Sequence, residues 1–266
     1  MATAASRALR TPFEVTCTTW KALFLRESVA RLRRERLAVV WLIVEPVAHM
    51  AILMVIRLVI RQRNFAGADP VLFYSLGVMA FFLPRNIIQR SFDAVGQSSQ
   101  LYAHRQIKPI DAVLARAAVE GVLSAVLFII VLAGLALFRV DVVPKDPLGV
   151  LLALGVLWMA GLGLGLVNSV IGELLPILAR ILRVLLGPLY ILSGVMFPTL
   201  LVPHPWRDYL LYNPLLHGLE SLRTAYIPGY HAPAEINLGY TFGFAVVVIF
   251  LGLALHLRYQ GALIAK

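Results

Sequence analysis

Residues 37–60, LAVVWLIVEPVAHMAILMVIRLVI, carry only two charged side chains, Glu45 and Arg57. As a helix rising about 1.5 Å per residue, the run is roughly 36 Å long, more than the ~30 Å of hydrocarbon in a bilayer. Bilayer is therefore the solvent it suits. Five further stretches read the same way: about Val71 to Val95, Ala112 to Phe138, Leu148 to Ile171, Ile181 to Leu201 and Leu238 to Leu257. The composition of the 266 residues agrees, with 60% hydrophobic, 14% charged and a mean hydropathy of +0.82, a balance that belongs to a polytopic membrane protein rather than a soluble enzyme. The predicted fold is all-α, with six transmembrane helices within residues 37–258. No repeat, low-complexity tract or long polar linker divides the chain, so residues 1–266 read as one membrane domain.

The net charge of +10 does not point to nucleic acid. The basic residues are grouped at the ends of apolar runs, with no alternating aromatic and basic face on a soluble segment. They carry topology instead. With six spans and both termini cytoplasmic, sixteen of the 24 Lys and Arg fall in cytoplasmic pieces and seven in outer loops, with Arg85 inside the second span. Residues 1–36 lack the uninterrupted apolar core of a secretory signal. Phe13, Trp20, Leu23, Phe24 and Leu32 punctuate that basic arm, which predicts a helix lying in the interface against anionic headgroups. The single cysteine, Cys17, excludes an intrachain disulfide and a thiol metal cluster.

YNPLLHGLESLRTAYIP, residues 212–228, differs from everything around it. Asn213 can cap a helix, Pro214 suits its first turn, and Pro228 with Gly229 stops it. Asn213, His217, Glu220 and Thr224 share one side, while Leu215, Leu219, Leu222 and Tyr226 share another, so one face is expected to be wet and one greasy. The helix is too short to span and is predicted to dip into the bilayer or lie on it. Pro176, Pro188 and Pro198 predict kinks or half-helices around the fifth span. Gly161 and Gly165 form a small-xxx-small pair that lets the fourth span approach another helix closely.

No G-x-x-x-x-G-K-[ST] loop is present, so ATP is not bound through a P-loop here, and H-E-x-x-H, G-x-S-x-G and D-x-D are also missing. Ionisable residues within spans become the functional clue, because a charge at membrane depth demands a partner or water. Glu45, Arg85, Arg116 and Glu120 qualify. Arg85 can bridge to Glu45 or Glu120 as a structural pair, or meet an anionic lipid or sugar. His49 beside Glu45 is read as a packing residue or a proton relay. Phe81, Phe82 and Tyr190, among other aromatics, suit interfacial anchoring or stacking on sugar rings. Gln97 to Pro109, QSSQLYAHRQIKP, is a polar and basic inner loop with an apolar edge at Leu101, Tyr102 and Ile107, suited to docking in the groove of a soluble partner.

RTPFEVTCTTWKALFLRES (10–28), LAVVWLIVEPVAHM (37–50), YAHRQIKPIDAVLARAAVE (102–120), SGVMFPTLLVP (193–203) and YNPLLHGLESLR (212–223) resemble, in matching order, the membrane subunit of capsule polysaccharide exporters, in the type-2 exporter class of ATP-binding-cassette (ABC) transporters. The resemblance implies a homodimer of six-span subunits. Each would contact a separate cytoplasmic ATPase that binds ATP and Mg, this chain holding no cofactor. Residues 98–108 would be the coupling helix, with Leu101, Tyr102, Arg105 and Lys108 transmitting ATP-driven closure, and residues 1–36 the interface helix. Residues 203–228 would be re-entrant outer helices, with His217, Glu220 and Arg223 near a channel exit. The cargo would be a lipid-linked polysaccharide, handed in Gram-negative relatives to a periplasmic co-polymerase and an outer-membrane exporter. Cousins that export O-antigen or teichoic acid share the fold. A membrane-embedded lipid or sugar transferase built on Glu45, His49 and Glu120, and a passive channel, are the readings from other classes.

Overall fold

The computed structural model describes residues 12–33, 38–60, 68–103 and 107–264. In chain order the elements are α1 (Pro12–Arg33), α2 (Ala38–Ile60), α3 (Pro70–Ser91), a 3-10 helix (Gly96–Ala103), α4 (Pro109–Leu137), α5 (Pro147–Leu174), α6 (Pro176–Leu192), a 3-10 turn (Thr199–Leu201), α7 (Trp206–Leu210), α8 (Pro214–Tyr226) and α9 (Leu238–Ile264). No strand occurs among the described residues, and the chain is an all-α polytopic protein. α3, α4, α5, α6 and α8 all open on proline, where the missing N–H would have lacked an intrahelical partner anyway. Asp69, Asp146 and Asn213 cap α3, α5 and α8 by accepting from backbone N–H groups of the first turn.

Five of the helices, α2, α3, α4, α5 and α9, are long and apolar enough to cross a membrane. The expected fifth span at 181–201 is shifted and cut short. α6 has 17 residues, about 26 Å, and ends at Leu192 because the chain turns through Gly194 at φ +70, a conformation glycine reaches without strain. Of the three prolines, Pro176 starts α6 after a break at Leu175, Pro188 lies within it, and Pro198 precedes the 3-10 turn.

Connections alternate between two ends. One, the near end, gathers α1, the 3-10 helix, the starts of α2, α4 and α6, and the ends of α3, α5 and α9. The far end holds the α4–α5 connection, α7 and the end of α8, tied by Lys145 N to Tyr226 O at 3.1 Å and Asp146 N to Ala225 O at 2.8 Å. α3 is the centre, 83% buried over its apolar window against 11% for α2.

The Gly161 and Gly165 pair faces α3. A Cβ on Gly161 would lie 2.7 Å from Pro84 Cα, and one on Gly165 2.6 Å from Ser91 Oγ. Backbone cannot yield as a flexible side chain can, so Gly161→Leu is expected to lower stability by at least about 1–3 kcal/mol. Gly155→Leu, on the same helix with nothing within 4 Å, is the control. Thermal unfolding in detergent that treats the two alike would refute the close-packing account.

α8 corrects an expectation. It packs among α3, α5 and α9, and the supposed wet face is buried at His217 and Glu220. Thr224 alone of that face is exposed. The polar residues are satisfied inside the fold rather than by water.

Candidate functional site

At the near end, α1 docks through charge. Glu27 on α1 lies 2.8 Å from Arg116 Nε of α4 and 3.4 Å from Arg90 Nη2 of α3. Glu120, 1% exposed, lies 2.9 Å from Arg90 Nη1 and 3.2 Å from Arg31 Nε. Arg116 also donates to the Arg90 carbonyl at 2.8 Å and to Gln97 Oε1 at 3.0 Å. Three guanidinium groups and two carboxylates thus fasten three helices together, and satisfying the remaining donors makes such burial tolerable. The possible Arg85–Glu120 bridge does not form. Arg85 pairs instead with Glu45 at 2.8 Å, because Glu120 faces α1.

Beside this network opens a cleft of about 440 Å³, walled by Arg31, Arg85, Arg90, Arg116 and Arg183, with Glu45, Asp93 and Trp41 among its other residues. Arg183 of α6 pairs with Asp93. Glu45, Arg116 and Arg183 lie two turns in from the starts of their helices, and Arg85 nearly two turns from the end of α3. All four therefore lie roughly 10 Å from the same end.

Above the cleft the aromatic candidates meet in a seam between α2, α3 and α6. The ring of His49 stands edge-on to Phe82 at 5.1 Å and to Tyr190 at 5.9 Å, and Phe81 contacts Tyr190 at 5.2 Å. The Arg85 guanidinium lies 4.8 Å over Phe82, joining seam to cleft. His49 donates to the Glu45 carbonyl at 3.0 Å, a bond within its own helix. Phe81 and Phe82 are buried, while His49 and Tyr190 are half-buried.

Towards the far end, Arg223 and Glu220 are both 0% exposed. Arg223 donates to Gly194 O at 2.7 Å, Val195 O at 3.0 Å and Glu220 Oε1 at 3.1 Å, and stacks 3.5 Å over Phe73. Glu220 also accepts from Thr199 at 2.9 Å and from Tyr230 at 2.6 Å. Burial, then the Glu220 carboxylate, push the Tyr230 hydroxyl above its ordinary range, which keeps it a proton donor. His217 donates from Nε2 to Leu211 O at 2.7 Å and accepts at Nδ1 from Asn237 N at 3.1 Å. In this conformation none of the three opens onto a passage.

The loop expected to dock a soluble partner forms the Gly96–Ala103 3-10 helix. Arg105 lies outside the described residues. Tyr102 turns inward, contrary to expectation, joining Val95, Val170 and Leu263 and donating to Val95 O at 3.1 Å. Burial pushes its hydroxyl up to about 12. It holds the loop in place and offers little to a partner. Leu101 is half-buried and Lys108 exposed, the latter fixed by its N–H to Asp111 Oδ2 at 2.8 Å.

Glu45, His49 and Glu120 do not converge, since each faces a different partner. Among the described residues no three metal-binding side chains group together. Sequence reasoning missed Glu27, Arg31, Arg90, Asp93, Gln97 and Arg183 as site residues. Glu27, an acid one turn before Arg31 in a basic arm, was the available signal.

The family model described as ABC-2 type transporter matches residues 18–227. The chain is 34% identical over 257 residues to the polysialic acid transport protein KpsM of Escherichia coli, covering 97% of this chain and 99% of that one. It is 26% identical over 239 residues to the capsule polysaccharide export inner-membrane protein CtrC of Neisseria meningitidis serogroup A, 90% of each chain. With the capsule polysaccharide export inner-membrane protein BexB of Haemophilus influenzae it shares 25% identity over 205 residues, 77% of each.

Proposed function

The chain belongs to the ABC-2 type transporter family, and from that membership we propose that it is the transmembrane subunit of an ATP-driven exporter moving lipid-linked capsular polysaccharide across the cytoplasmic membrane. The observation that carries the cargo assignment is the end-to-end likeness to the polysialic acid transport protein. Two copies form the exporter, each with six spans, α6 serving as the fifth, and with both termini cytoplasmic. A polysaccharide is too polar for lipid, so a wet path between two subunits replaces its hydration with polar and aromatic side chains. The cleft, the His49–Phe82–Tyr190 seam and the far-end helices supply such groups in one subunit, and a second copy closes the path. In a Gram-negative host a periplasmic co-polymerase and an outer-membrane exporter continue it.

The work comes from a separate cytoplasmic ATPase that binds ATP and Mg, since this sequence has no P-loop. The near end is its docking face. Arg116 meets both Glu27 of α1 and Gln97 of the 3-10 helix there, Lys108 is exposed, and Tyr102 anchors the 3-10 helix to α5 and α9. Nucleotide binding can favour one helix arrangement only through a contact of this kind. Lys108→Glu is therefore expected to lower export about fivefold or more, as loss of one interface contact of ~1 kcal/mol would, while the subunit remains inserted and dimeric. ATP-dependent uptake of radiolabelled glycan into inverted vesicles checks it. Uphill glycan movement into sealed proteoliposomes holding this chain alone, with no ATPase or nucleotide, would overturn the whole reading.

A further inference from the structure

A second concavity, of about 610 Å³, lies at the far end between the α4–α5 connection, α8 and residues 229–236. Its walls are fixed. Lys145 and Asp146 hydrogen-bond through their backbone N–H groups to the end of α8, Gly229 turns the chain at φ +75, and the Tyr230 hydroxyl is held by Glu220 at 2.6 Å. Ser221 and Ala225 line it from the side of α8 opposite Arg223, so the thickness of that helix, about 10 Å, separates it from the end of α6. Three polar groups in it have no hydrogen-bond or ion-pair partner among the described residues: the Lys145 ammonium, the Ser221 hydroxyl and the His231 ring. Asp146 caps α5 through Oδ1, accepting from Gly149 N at 3.0 Å, and its charge is met there by the positive helix N-terminus. Its Oδ2 stays open. Thr224 donates to Glu220 O at 2.9 Å and keeps its own lone pairs free to accept. The Lys145 charge is thus the one left unanswered.

We propose that this pocket holds a carboxylated sugar unit of the glycan as it leaves the far face, with Lys145 gripping the carboxylate. The inference rests on the exporter reading, which puts glycan on that side of the membrane. A sugar presents hydroxyls that both donate and accept around apolar C–H faces, so its site needs donors, acceptors and an apolar wall together. Ser221 and His231 can donate or accept, Asp146 Oδ2 and Thr224 accept, and the Tyr230 ring with Pro233 and Ile236 forms the wall. The charge pattern selects the ligand. One cation flanked by two acceptors suits a phosphate poorly, since the acceptors would face its oxygens. A carboxylate takes one charge-assisted bond from the ammonium and leaves the acceptors to the ring hydroxyls. The volume of about 610 Å³ lies within the usual range of small-ligand sites.

Full-length protein in phosphatidylcholine nanodiscs is irradiated with a diazirine-bearing galacturonic acid tetramer, and adducts on the peptides spanning 140–149 and 221–236 are counted by mass spectrometry. The unmodified acid tetramer is expected to suppress them at about one tenth of the concentration that maltotetraose, a neutral chain of equal length, requires. Lys145→Gln should lower the adducts about tenfold, and because that side chain is exposed and free the fold is not at stake. Arg139→Gln, which removes an exposed far-end cation outside the pocket, should leave them unchanged. Adducts that persist in Lys145→Gln, or equal suppression by the two tetramers, overturn the proposal. Suppression by the galacturonic acid monomer at the tetramer's own concentration would assign the pocket to a free sugar acid and overturn the chain source. ATP-dependent uptake into inverted vesicles reads the exporter separately: export without these adducts overturns this inference alone, and adducts without export overturn only the exporter reading.

Discussion

Replacing Arg223 with alanine is expected to leave almost no folded subunit in the membrane. Its guanidinium joins α8 to the 194–195 backbone and stacks on Phe73 of α3, with no exposure to solvent. Removing it strands the Glu220 carboxylate in the interior with only Thr199 and Tyr230 as donors. Breaking one side of a buried pair costs about 3–5 kcal/mol, a large share of the ~5–15 kcal/mol that holds a typical domain together. Arg223→Lys should recover little, because an ammonium cannot reach two carbonyls and stack at once. Arg223→Met with Glu220→Leu should recover more, since no charge is then buried unpaired. Pulse-chase lifetime and thermal unfolding in detergent would read the order. A stable Arg223→Ala subunit would show that the network is ornamental to folding.

Glu27→Lys has a comparable cost but a local result. It sets a third cation beside Arg90 and Arg116, at the position that binds α1 to α3 and α4. The loss is again about 3–5 kcal/mol, and it falls where α1 is joined to α3 and α4, so the helix should detach while the bundle stays folded. Limited trypsinolysis is expected to cut at Lys21, Arg26 or Arg31 in the variant and not in wild type, with the thermal midpoint of the remainder little changed. Glu27→Gln, which can still accept a hydrogen bond, should give partial protection. Wild-type protection in Glu27→Lys would mean that α1 is held by its apolar residues alone.

Helix positions were legible because length and charge scarcity read directly as span, and because prolines sit at helix starts. The reading began the third span at Ala112 although Pro109 is its first residue, and treated Pro176 as a break when it is also a beginning. The site was only half legible. Glu45 and Arg85 stand out in any apolar run, but which guanidinium a carboxylate faces depends on helix rotation. Glu120 therefore looked like a partner for Arg85, whereas it bridges Arg31 and Arg90. Polar spacing on α8 looked like a water-facing surface. Its partners come from distant segments, Gly194 to Thr199, Leu211, Tyr230 and Asn237, and no local pattern could reveal that a helix with charged residues is walled in by protein.

The close approach of α3, α5 and α9 at glycines leaves little that can compress between them. Gly161 abuts Pro84, and a Cβ on Gly163 would lie 2.9 Å from Ile249 N. Mechanically these three form a single stiff slab, with α2 a loosely attached stave at its edge. The ring of Tyr102 is wedged between α5 and the last turn of α9 beside Val170 and Leu263. A push on that loop is thus delivered to the whole slab as a lever is to its beam, and the compliance that any widening of the subunit demands resides in the staves.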